Sequence, residues 1–207
     1  MTAHARQLIT AFTLAISTAS LSVQALAQAP QGGQGGGGRG SQPGPLLLTT
    51  TAFEDGGVIP AKYTSATDNP VSPELKWSQV PPGTQSFVLL MRDPEPVINK
   101  GAKEDIVHWV VWNIPATSTG LPENVPQGQL QDGSRQVSRR SNGYLPPGAP
   151  APGPYHHYTW ILYAIDVKTI DVPQGTPEQS TETRAAVINA MDGHVLGKAL
   201  LMGRFHR

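Results

Sequence analysis

The run His108-Trp109-Val110-Val111-Trp112-Asn113-Ile114 is dense in β-branched and aromatic residues and apolar on both alternating faces. A strand with one wet face alternates apolar with polar, whereas a strand covered on both faces does not. Tyr158-Thr159-Trp160-Ile161-Leu162-Tyr163-Ala164-Ile165 has the same character, so the two runs are expected to be central strands of one sheet. Outward from them, Leu46 to Thr51, Val58-Ile59-Pro60, Leu75-Lys76-Trp77 and Ser86 to Met91 read as further short strands. They are separated by Asn69-Pro70, Ser72-Pro73 and Pro81-Pro82-Gly83, which punctuate a chain as turns. One helix is expected from Ser180 or Thr181 to Met191, with Gly193 as its C-terminal stop. The fold class that follows is mostly β, a β-rich α+β domain with a C-terminal helical segment. Trp77, Phe87, Leu89, Val110, Trp112, Ile161 and Leu162 are its expected core.

Composition narrows the function. The 207 residues carry 15 Lys and Arg against 15 Asp and Glu, and charged residues make up 14%, so no basic stripe offers itself to nucleic acid. With 22 Gly and 20 Pro, too many positions resist helix for an all-helical bundle. The absence of Cys removes disulfides, thiolate nucleophiles and Cys-ligated metals. At the start, Arg6 precedes an uncharged stretch from Leu8 to Val23 and then Ala25-Leu26-Ala27, the pattern of a secretory signal peptide over 1–27 cut after Ala27. Its apolar runs are too short to span a bilayer, so the mature chain is expected to be periplasmic or secreted, without a transmembrane segment. Residues 28–45 are Gly-rich and almost free of aliphatic side chains, as in a disordered linker. The domain is expected to occupy 46–207.

Polar groups gather at four places beside the expected strands. Asp93 follows the strand ending at Met91, in Arg92-Asp93-Pro94-Glu95-Pro96; it either faces a pocket from a strand end or caps its own turn. His108 opens its strand, as a ligand-binding group or as a structural hydrogen-bonder. The loop from Tyr144 to Tyr155 carries five prolines, and it fits a preorganised pocket wall, a stiff connection or a ligand for another protein's groove. In His156-His157-Tyr158, strand alternation points His156 and Tyr158 to one face and His157 to the other. Asp93, His108 and His156 are types that suit zinc or iron, but no pair stands at a short ligand spacing, so no metal or other cofactor is expected. Arg135 to Arg140 reads as an exposed loop, and His194 and His206 as capping or solvated residues.

These residues resemble the phosphatidylethanolamine-binding protein family, which includes the Raf kinase inhibitor proteins, and in particular its bacterial branch. The resemblance rests on six ordered blocks: Ile59 to Thr64, Ser72 to Trp77, Asp93 to Pro96, His108 to Ala116, His156 to Tyr158 and Gly193 to Leu196. It implies a large antiparallel sheet, a smaller second sheet and C-terminal helical segments. It also implies an anion pocket lined by Asp93, His108, His156 and Tyr158, with Glu95, Pro96, Pro147 and Pro150 at its rim. The chain departs from the family pattern in three ways. The D-P-D-A-P block reads Asp93-Pro94-Glu95-Pro96-Val97, the G-P-x-P-P stretch reads Pro146-Pro147-Gly148-Ala149-Pro150, and a polar segment with Lys100, Lys103, Glu104 and Asp105 precedes His108.

The resemblance implies a small anionic ligand (a phosphate ester, a phospholipid headgroup or a carboxylate) and a protein partner such as a kinase or protease. Two imidazoles, a phenol and a carboxylate can donate to a phosphate and accept from an amine or hydroxyl, and binding needs no nucleophile. The leading expectation is an exported anion-binding protein that modulates a partner. A hydrolase using His108 or His156 as general base, and a protein-interaction module without a small ligand, are the alternatives.

Overall fold

In a computed structural model, which describes residues 44–97 and 99–207, the two apolar runs form β4 (Ile106–Pro115) and β7 (His156–Ile165), with β3 (Ser86–Asp93) between them. The signal peptide expected over 1–27 and the expected linker as far as residue 43 lie outside the described residues. β3 pairs antiparallel with both neighbours, and β6 (Arg135–Val137) and β8 (Val195–Phe205) complete a five-stranded sheet in the order β6-β4-β3-β7-β8. A second antiparallel sheet holds β1 (Leu47–Thr49), β2 (Leu75–Ser78) and β5 (Gly120–Leu121) in the order β1-β2-β5. The two antiparallel sheets and the C-terminal helix α1 (Ser180–Ala190) are the expected fold class.

Both faces of the large sheet are covered, which is why its central strands carry apolar residues on both faces. On one face Phe87, Leu89, Met91, Trp109, Trp160 and Leu162 pack with Leu48, Leu75 and Trp77 of the small sheet. On the other, Val88, Leu90, Val110 and Trp112 pack with Val187 of α1 and with Ile170 and Val172 of the loop before it. All seven residues expected in the core are buried. Burying a large apolar side chain contributes roughly 1.5–3 kcal/mol, so these two layers dominate stability.

Two irregularities in β4 set which side chains reach which layer. The β3–β4 register shifts between Phe87 and Leu89 and again between Met91 and Arg92. Asn113 lies in the first shift with φ 59°, and its amide donates to Ile170 O (3.2 Å) and accepts from Ile170 N (2.7 Å). His108 lies in the second, because Met91 faces Trp109 while Arg92 faces Val107. An extra residue in one strand re-aims its neighbours. Val107 and Val110 therefore belong to the helix-side layer while Trp109 belongs to the other.

Several local expectations are corrected. Val58 to Pro60 is not a strand: Val58 makes an isolated bridge to Arg204, and Gly56 and Ile59 donate to Met202 O and Arg204 O along the outer edge of β8. Arg135 to Val137 is a strand rather than loop, held because the Arg135 guanidinium donates to Val172 O at 2.7 Å. Neither Ser180 nor Thr181 caps α1; Gln179 does, without a side-chain bond, after a 3-10 turn over Pro177–Gln179. β5 and β8 had no counterpart in the sequence reading.

Candidate ligand-binding site

At one end of the large sheet, the last residue of β3 and the first turns of β4 and β7 open onto a cavity of about 580 Å³. Alternation along β3 carries Asp93 onto the same face as Met91 and Leu89, and alternation along β7 carries His156 and Tyr158 there with Trp160. The irregularity at His108 places it beside them, its ring edge-on to Tyr158 at 5.0 Å. Asp93, His108, His156 and Tyr158 all line the cavity.

Each polar group has a defined role. His156 Nδ1 pairs with Asp93 Oδ2 at 2.7 Å, and Asp93 Oδ1 accepts from Glu95 N at 3.1 Å. Burial raises the Asp93 pKa, against the opposing pull of its His156 bond. Tyr158 Oη accepts from the backbone N–H groups of Gly148 and Ala149, both at 3.2 Å, and burial raises its pKa, so the phenol keeps its proton as a donor. His108 Nδ1 donates to Leu145 O at 2.8 Å, while Leu145 N donates back to His108 O at 2.9 Å. Burial pushes the His108 pKa down to about 4, so its ring is neutral at pH 7.

The loop from Arg139 to Pro150 forms the opposite wall. Arg139 N bonds Val107 O, and Tyr144 Oη donates to Tyr63 O at 2.8 Å. Ser65 N donates to Pro147 O at 2.8 Å, and the Arg207 guanidinium donates to Ser65 O and Oγ at 3.1 and 2.9 Å. Three cations, Arg139, Arg140 and Arg207, thereby line the cavity together with Pro96, Val97, Pro146 and Pro150.

The structure does not bring every named residue there. Glu95 turns outward, its carboxylate accepting from His157 N (3.0 Å) and pairing with His157 Nδ1 (2.6 Å). Pro147 is buried behind the wall, its carbonyl taken by Ser65, and is not among the lining residues. His157 lies on the opposite face from His156, as alternation requires. The polar segment before His108 is not at the mouth: Glu104 pairs with Arg184 of α1 and Asp105 with Arg92 at 2.8 Å, leaving Val97 and Ile106 to line the opening. For metal, the set Asp93, His108 and His156 is not what converges; ligand atoms of Asp93, Glu95 and His156 lie within 4.8 Å of one another, each already engaged by a hydrogen bond. His194 pairs with Asp166 at 2.8 Å, and His206 packs against Tyr155.

The sequence reading missed the arginines. Arg139 and Arg140 are exposed, as expected, but on the cavity side, and only the pairing of β6 with β4 shows which side that is. Arg207 gave no signal, because its partner Ser65 is far away in sequence.

The chain matches the family model described as phosphatidylethanolamine-binding protein over residues 49–206. A UPF0098 protein of Methanothermobacter thermautotrophicus is 40% identical over 163 residues, covering 78% of this chain and 99% of that protein. A crystal structure described as a phosphatidylethanolamine-binding protein homologue from Chlamydia trachomatis superposes with a TM-score of 0.66 at 31% identity, covering 79% of this chain and 98% of the other. Escherichia coli YbcL shares the fold, with a TM-score of 0.61 at 22% identity over 78% of this chain and 98% of its own. The matched residues take in β2 to β8 and α1, and the chain belongs to the phosphatidylethanolamine-binding protein family.

Proposed function

We propose that the chain is an exported binding protein for a small ligand bearing phosphate or carboxylate, presented to or withheld from a protein partner. One observation carries the reading: a cavity that combines an Asp-held imidazole, His156, with Arg139, Arg140 and Arg207. Charge-assisted hydrogen bonds from such groups to oxyanions are about twice as strong as neutral ones. The Asp93 carboxylate behind His156 fixes the orientation of that ring through Nδ1. The family's name, taken from a phosphate-bearing headgroup, agrees with that chemistry. Export rests on the sequence over 1–27, and the proline-fixed loop from Pro146 to Pro154 gives a partner a surface with little freedom to lose.

Native mass spectrometry of protein taken from its own extracytoplasmic fraction tests both halves. The expected result is a polypeptide beginning at Gln28 that carries an anion released on unfolding. A full-length cytoplasmic chain would overturn export. No bound anion, together with no calorimetric signal on adding millimolar phenyl phosphate, would overturn the binding reading.

A further inference from the structure

The two histidines of the cavity are not equivalent, and the more buried one, His108, specifies the ligand. The Leu145 carbonyl can only accept, so His108 Nδ1 carries the ring proton and Nε2 is left as a lone pair. Nε2 is buried and has no hydrogen-bond partner among the described residues. His108 itself is only 4% exposed, at the cavity wall. A buried acceptor without a donor is costly, and a second acceptor brought against it is worse. His156 differs in its partner, its Nδ1 being held by the Asp93 carboxylate at 2.7 Å rather than by a carbonyl.

We propose that His108 makes the pocket select oxyanions that carry a proton over those that carry none. Hydrogen phosphate offers negative oxygens to the arginines of the lining, and a P–O–H to His108 Nε2. Sulfate offers only acceptors. The same holds for a phosphate monoester once it has lost its last proton, near pH 6. This inference rests on the anion-binding reading and sharpens it: the preferred ligand is inorganic phosphate or a singly ionised monoester. The groups facing His108 support a neutral ring. Arg139, Arg140 and His156 all disfavour its protonation, adding to burial, and Tyr158 meets it edge-on as an uncharged phenol.

Calorimetry on the full chain with three probes tests the proposal: inorganic phosphate, which keeps a proton at pH 8; sulfate, which has none; and phenyl phosphate, which loses its own near pH 6. Sulfate measured at each pH corrects for any change in the protein that affects every anion. At pH 8 phosphate should bind about tenfold tighter than sulfate and phenyl phosphate, which lies within the range that leaving a buried acceptor unsatisfied costs. At pH 5.5 phenyl phosphate should regain its affinity relative to sulfate. His108→Asn, whose amide can turn a donor inward, should reduce the phosphate preference to within about twofold. Equal affinities for phosphate and sulfate at pH 8 would overturn the selectivity and leave the anion pocket standing. Failure of all three probes to bind would overturn both.

Discussion

His156 and His157 are adjacent in sequence and opposite in surroundings. One is mostly buried against Asp93 in the cavity; the other is half-exposed and clamped to Glu95 outside it. His156→Ala should weaken phosphate binding by roughly 1.5–3 kcal/mol, the range for a hydrogen bond to a charged group. His157→Ala should leave it within about twofold. Calorimetry on the two variants decides, and equal losses would mean that the cavity does not bind through the β7 inner face. This contrast was legible from alternation alone, as was the pairing of His156 with Tyr158. Bringing in Asp93 and His108 required the family resemblance, because no local spacing links positions on three strands. The outward turn of Glu95 was not legible at all. It depends on His157 presenting both N–H and Nδ1 to one carboxylate, and a motif match carries no such information.

Among the elements, β4 shows how a strand's irregularities determine what it presents. Asn113 adopts a left-handed φ that costs most residues about 1–2 kcal/mol, and anchors the Ile170 loop by two hydrogen bonds. Asn113→Gly keeps the backbone tolerance and loses the bonds; Asn113→Ala loses both. Urea unfolding should therefore show the Ala variant about 1 kcal/mol less stable than the Gly variant. Equal losses would show that the backbone shape at 113 carries no strain. The apolar runs of β3, β4 and β7 were readable because burial on both faces leaves only one composition. β8 was not, although it is the longest strand described: Lys198-Ala199-Leu200-Leu201-Met202 are good helix formers, and Gly197 and Gly203 flank them. Those glycines answer to the tertiary structure. A Cβ on Gly203 would lie 2.6 Å from Ile59 Cγ1, and one on Gly197 would lie 2.7 Å from Pro81 Cγ. Pairing with β7 along nearly its whole length overrides the local preference.

For the molecule as a whole, His108 couples folding to acidity. Its pKa falls from 6.5 in the open chain to about 4 in the fold, so between those values the unfolded state binds more protons. Stability that is fully present above pH 6.5 is then lost as the pH falls toward 4, by about 3 kcal/mol at most. Denaturant unfolding at pH 7 and pH 4.5 should show a steeper loss for the native chain than for His108→Gln, and identical losses would mean that another group governs the response. The outer edge of β8 has a separate bearing on the molecule's fate in concentrated solution. Residues 56–59 occupy its hydrogen-bonding groups at Met202 and Arg204, while the stretch around Lys198 and Leu200 has no strand beside it among the described residues. An uncovered edge is a template for a foreign strand, and a lysine within it is the usual deterrent. Among the described residues, Lys198 is the charge on that stretch, beside the half-exposed Leu200, and Lys198→Ala is expected to favour fibrous aggregation.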